Sequence, residues 1–160
     1  MVWVSILITG MNLSLRLKIR KDFLGEIVVF LMTAIVEIDY ISLPVTEILK
    51  KVRSNGACKK LDFIGICIDE TEKGEDFDFA WSRAVDLSAL PFTAEEQKKL
   101  ISLGSLIGTS DVAGQRSILT LYSDTFREYH RKAEEIYTKY GKICIVVSGF
   151  LGMGIFVLMI

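Results

Sequence analysis

The chain has 160 residues, enough for one domain, and its 19 basic side chains balance 20 acidic ones. That balance excludes the strong positive field of a nucleic-acid binder. A single histidine and three cysteines with no C-x-x-C pair exclude a zinc site, and Cys58, Cys67 and Cys144 are expected to be reduced and mostly buried.

Mean hydropathy is +0.39, and the apolar excess collects at the two ends. Residues 1–15, MVWVSILITGMNLSL, reach about 22 Å as a helix. Arg16, Lys18, Arg20 and Lys21 follow, with Leu17 and Ile19 able to extend the insertion while the cations reach back to the surface. The charge lies after the apolar run and no A-x-A is present, so this reads as an N-terminal membrane anchor and not a cleaved signal. The first helix then continues to near Tyr40, with Leu24, Ile27, Val28, Leu31, Ile35 and Ile38 along one face.

Pro44 suits the first position of a second helix, which Gly56 can close. A third helix is expected over about 59–72. The stretch DETEKGEDFD carries six carboxylates and one lysine. It reads as a solvated loop, with a docking surface for a basic partner as the alternative. A fourth helix, about 79–87, buries Trp81 and Val85, four residues apart. Thr93 and Glu96 form a capping box that opens helix five, whose buried stripe is Leu100, Leu103 and Ile107. In helix six, Leu119, Tyr122, Phe126, Tyr129, Ala133, Ile136 and Tyr140 alternate three and four apart, the seam of helices packed at a shallow angle.

LISLGSLIGTSDVAGQ, residues 100–115, joins the last two helices. It lacks the Lys-Ser/Thr of a phosphate loop, no strand precedes it, and it is not G-x-S-x-G. The reading is structural. Gly104 lies mid-helix, at about 1 kcal/mol against alanine, tolerable where a neighbouring backbone packs on it. Gly108 is expected to end helix five in a left-handed conformation. Ser110 or Asp111 caps helix six, and Gln115 is within reach of Asp111. A partner-binding helix corner is the alternative.

Helix six is expected to run without a break into residues 143–160, which hold no charge and would span about 27 Å. Ser148, Gly149 and Gly152 include a small-xxx-small pair suited to packing on another membrane helix. The basic residues Arg16, Lys18, Arg20 and Lys21 at one end, and Lys139 and Lys142 with Arg127, Arg131 and Lys132 at the other, all lie toward the middle of the chain. The positive-inside rule then puts 16–142 in the cytoplasm. The expected fold is all-α: a six-helix cytoplasmic bundle (16–142) whose first and last helices continue into the membrane as an anchor (1–15) and a transmembrane helix (143–160).

Several motifs together resemble the stage III sporulation protein AB family of endospore-forming bacteria. They are Glu37-Ile38-x-Tyr40 ahead of Ser42-Leu43-Pro44, Phe79-Ala80-Trp81, and L-x-x-L-G-x-x-x-G-x-S-D-x-x-x-Q on Leu100, Leu103, Gly104, Gly108, Ser110, Asp111 and Gln115. Gly141-Lys142 before the apolar tail with Gly149-x-Leu151-Gly152 completes the pattern, which covers nearly the whole chain. The family's soluble domain is similar to the platform F protein of type II secretion and type IV pilus machines. The resemblance implies a non-enzymatic platform in the mother-cell membrane facing the forespore. There it would stand between a cytosolic ATPase of the stage III sporulation protein AA type and the membrane ring proteins. Its expected partners are these proteins and the lipid bilayer. No cofactor, catalytic residue, metal, nucleic acid or small-molecule substrate is expected.

Two rivals remain. A lipid-modifying membrane enzyme needs a polar cluster near the bilayer, where the chain offers only Ser5, Thr9, Asn12, Ser14 and Ser148. A membrane-anchored dimerisation module would pair through the helix-six seam as a coiled-coil homodimer.

Overall fold

The computed structural model describes residues 2–41, 44–54, 56 and 58–141. Among them there are six α-helices and no strand: α1 Val2–Ile41, α2 Val45–Ser54, α3 Asp62–Glu72, α4 Phe77–Leu87, α5 Ala94–Thr109 and α6 Val112–Ile136, followed by one π turn, Tyr137–Gly141. The expected all-α, six-helix architecture is therefore present. The chain divides into two compact units, residues 23–129 and a second drawn from both ends of the chain.

In the 23–129 unit, α4 packs against both α3 and α5. The inner face of α1 is Leu24, Ile27, Phe30, Leu31, Ala34 and Ile38, all buried. Val28 and Ile35, expected on that face, lie half-buried at its edges. Trp81 is the largest buried side chain, with Phe63, Phe77 and Phe30 rings 5.2, 5.8 and 6.1 Å away. Burying such rings removes apolar surface from water at roughly 25 cal/mol per Å², so this cluster anchors the core.

Local chemistry sets the helix ends. Gly56 has φ +65° after α2, and Gly74 φ +98° between α3 and α4, both left-handed positions that favour glycine. α3 begins at Asp62, three residues later than expected. The Lys60 N–H is drawn sideways to Glu26 Oε2 at 2.9 Å, and the Leu61 N–H turns back to the Cys58 carbonyl at 3.2 Å. α4 begins two residues early, because Asp76, extended at ψ 141°, serves as its N-cap and Ala80 N–H closes onto the Asp76 carbonyl at 2.9 Å. α5 opens on the expected box: Glu96 N–H donates to Thr93 Oγ1 at 3.3 Å and Thr93 N–H to Glu96 Oε2 at 2.7 Å.

In the unit formed by the chain ends, Ser14 and Ala133 are buried. His130 Nδ1 lies 3.0 Å from the Lys21 carbonyl, and Lys21 Nζ stands 5.3 Å over the Tyr137 ring. The α6 seam holds through Ala133 and then fails: Ile136 is 37% and Tyr140 48% exposed. The π turn adds a residue per turn and so rotates its own side chains off the seam. The helix thus changes from α to π at Tyr137 without a gap, and its expected course from Lys142 onward lies outside the described residues. Among the described residues no helix is long and apolar enough to cross a membrane. Lys142, Cys144, Ser148, Gly149 and Gly152 lie outside the described residues.

Candidate functional site

The α5–α6 corner gathers the motif residues, and each has a defined task. Leu100 and Leu103 are fully buried on α5. A Cβ on Gly104 would lie 2.1 Å from Trp81 Cδ1, so the indole lies directly on the bare α5 backbone. The Trp81 Nε1–H donates to the Leu100 carbonyl at 2.7 Å, in a buried setting. That carbonyl has a second lone pair for its helical donor. The neighbour that Gly104 admits is thus a side chain, not a backbone. The Phe79-Ala80-Trp81 and Leu100–Gln115 motifs are two halves of one joint.

Gly108 does not end α5. Its φ is not left-handed, the helix runs through Thr109, and a Cβ there would come within 3.2 Å of Phe77 Cδ1. Polar side chains hold the exit instead. Ser110 Oγ donates to the Leu106 carbonyl at 2.6 Å. Gln115 Nε2 donates to the carbonyls of Ile107 at 3.2 Å and Ser110 at 3.1 Å. These bonds satisfy the C-terminal acceptors that a left-handed glycine otherwise serves. Gln115 therefore reaches back to α5 and not to Asp111. Asp111 caps α6, its Oδ1 accepting the Gly114 N–H at 2.9 Å.

Of the orientation charges, Arg16, Lys18 and Lys139 are exposed and Arg20 and Lys21 half-buried. The acidic stretch expected as a loop is instead the end of α3, the short link 73–76 and the start of α4, and it is solvated: Asp69, Glu72, Glu75, Asp76 and Asp78 are exposed. Glu70 is held below the usual carboxylate range by Lys73, 2.8 Å away, with Arg83 at 3.5 Å adding to it against some desolvation. Lys50 is raised by its bonds to Glu72 at 3.1 Å and Glu47 at 3.3 Å. Burial pushes the Cys58 thiol up to about 11 and the Cys67 thiol up to about 12, so neither is an activated nucleophile. A cavity of about 230 Å³ opens beside the α2–α3 turn, lined by Arg53, Cys58, Lys59, Asp62 and Gly65 among others. Arg53 stacks its guanidinium on the bare Gly65 backbone there. Among the described residues no cluster of His, Cys, Asp and Glu is placed to hold a metal ion.

Sequence reasoning missed Phe77, Gly65 and Arg53. The available signal was glycine inside a helix, at Gly65 as at Gly104, where only a close neighbour offsets the lost helix propensity.

The corner is thus a packed joint of two motifs, made of bonds and ring contacts within the chain. No curated protein and no solved structure matches this chain. Over residues 1–160, its whole length, it matches the family model of stage III sporulation protein AB, and it belongs to that sporulation family.

Proposed function

We propose that this chain is a non-enzymatic platform of the mother cell–forespore complex, held in the mother-cell membrane by both ends with residues 16–142 in the cytoplasm. The observation that carries the reading is the continuity of α1. One helix of 40 residues, about 60 Å at 1.5 Å per residue, joins the apolar 1–15 stretch to the core of the 23–129 unit. A displacement of the bundle then travels along a helix and is not lost in a loop. The exposed Arg16 and Lys18 directly after the apolar stretch support a cytoplasmic bundle. The bundle receives a cytosolic ATPase of the stage III sporulation protein AA type and hands its work to membrane ring proteins, with no cofactor of its own.

The dimerisation reading through α6 loses its interface, since Leu119, Tyr122 and Phe126 are buried within their own chain. The test of the platform is capture. The full-length chain in detergent should retain the ATPase in at least one nucleotide state, and the chain should stay with membranes after alkaline extraction. Failure to capture in every nucleotide state, or release of the chain into the aqueous fraction, refutes the reading.

A further inference from the structure

The chain is close to neutral as a whole, but its charge is segregated. Residues 1–22 and 130–141, in the unit formed by the chain ends, carry seven Lys and Arg against three carboxylates, whereas residues 23–129 carry eleven against seventeen. Pairing differs in the same way. In the 23–129 unit Lys51, Lys60, Arg83 and Arg116 each lie within 3.5 Å of a carboxylate. In the chain-end unit Asp22 faces Lys21 at 3.5 Å and Glu135 bonds Arg131, which leaves Glu134. Arg16, Lys18 and Lys139 are exposed, and among the described residues no carboxylate stands within ion-pair distance of them. The four cations of α1 fit within about 8 Å of helix at 1.5 Å per residue. Within that band they do not share a face. At 100° per residue Arg16 and Arg20 lie about 40° apart, Lys18 and Lys21 about 60° apart, and the two pairs on opposite sides. Exposed apolar side chains lie between and just before them: Leu13, Leu15 and Ile19. His130 Nδ1, 3.0 Å from the Lys21 carbonyl, sets α6 beside this band. There Lys21 Nζ stands 5.3 Å over the Tyr137 ring and Lys139 Nζ 5.2 Å over the exposed Tyr140 ring.

We propose that this band holds the phosphates of anionic phospholipids, so that the chain selects its lipids by headgroup charge and not by apolar thickness alone. A protein partner docks on one side of a helix. Cations placed around a helix, with apolar side chains between them, match a surface that surrounds it. The headgroup layer is such a surface, and it is about 5–8 Å deep on each side of the hydrocarbon, the depth of the band. Exposed cations with no internal partner can meet a phosphate without an ion pair being broken first. Tyrosines at the same level suit the boundary between hydrocarbon and water. The excess of carboxylates in the 23–129 unit is repelled by an anionic surface, which confines the attraction to the band. The inference rests on the membrane reading proposed for the platform and adds to it the class of lipid.

The test is the lipid selectivity of the full-length chain reconstituted in phosphatidylcholine vesicles. Trace spin-labelled phosphatidylglycerol or spin-labelled phosphatidylcholine is read by electron paramagnetic resonance, where the motionally restricted fraction reports lipid held against the protein. The phosphatidylglycerol label should associate about threefold more strongly than the phosphatidylcholine label, and lose that preference at roughly 1 M salt, where the Debye length is about 3 Å. The variant Arg16→Gln/Lys18→Gln/Lys139→Gln should abolish the preference at an unchanged thermal midpoint. Lys59→Gln/Lys98→Gln/Lys99→Gln removes three exposed cations from the 23–129 unit and should leave it intact. Equal association of the two labels, a preference that survives the first variant or is lost equally in the second, or its displacement by excess inorganic phosphate at constant ionic strength overturns the proposal. Restricted signal from both labels without preference sinks the headgroup selection and leaves the membrane reading standing. No restricted signal from either label refutes both.

Discussion

Replacing Gly104 by alanine puts a methyl 2.1 Å from Trp81 Cδ1, 2.3 Å from Cγ and 2.7 Å from Nε1. The ring cannot swing aside cheaply. Cγ is bonded to the Trp81 Cβ, the side chain is 1% exposed, and Phe63 stands edge-on 5.2 Å away. Overpacking of this kind costs about 1–3 kcal/mol. If the indole N–H leaves the Leu100 carbonyl and stays buried, about 1–3 kcal/mol more is lost. Alanine returns about 1 kcal/mol of helix propensity. The net loss is about 3 kcal/mol, which for a unit of this size lowers the thermal midpoint by roughly 12–24 °C. The assay is thermal unfolding of the full-length chain in detergent, followed by far-ultraviolet circular dichroism. Gly108→Ala is the control. Its Cβ would meet only Phe77 Cδ1, at 3.2 Å, and the gain in propensity offsets that contact to within about 1 kcal/mol. In a Trp81→Phe background the smaller ring has no N–H to orphan, so the cost of Gly104→Ala should fall by at least about 1 kcal/mol. An alanine variant as stable as the parent, or an equal cost in both backgrounds, refutes the seating of the indole on Gly104.

Asp111→Ala removes the cap on the Gly114 N–H and should cost about 1 kcal/mol, most of it restored by Asp111→Asn in chemical denaturation. Thr93→Ala removes the Oγ1 acceptor of the Glu96 N–H, leaves the backbone bond from Thr93 N–H to Glu96 Oε2, and should cost a similar amount, about 1 kcal/mol, by the same measurement. Burial, then the bond to Glu95 at 2.8 Å, pushes Tyr129 from about 10 up to about 12. The fold therefore favours the neutral phenol. Its contribution is complete below pH 10 and is lost as pH rises through about 12. Tyr129→Phe should flatten that alkaline fall, and an unchanged pH–stability curve would count against the shift. Cys58 and Cys67 are buried free thiols and should react with a thiol reagent at neutral pH only after unfolding. Stoichiometric labelling of the native Cys144→Ser chain would contradict their burial.

Local chemistry with one physical cause was legible in the sequence. The Thr93–Glu96 box, the left-handed Gly56 and the Asp111 cap each follow from residues within one turn. Gly108 was not legible, because a glycine that ends a helix and one that clears room for a ring carry the same letter. The distinction lies in Phe77, thirty-one residues away in sequence. The inner face of α1 was only partly legible. IVVFLMTAIV is apolar all round, so periodicity gives no phase, and Phe30 and Ala34 were passed over for Val28 and Ile35. The late start of α3 depends on Glu26 capturing a backbone donor 34 residues away. The π turn that carries Tyr140 off the α6 seam is announced by no side-chain pattern.

Trp81 also gives the protein an optical gauge. The chain has one other indole, Trp3. With Trp3→Phe, all indole emission comes from a fluorophore enclosed by three phenyl rings and tied to one carbonyl. A red shift in that single emitter would report the joint between α4 and α5 opening, and it could be followed in crude membranes without any added dye.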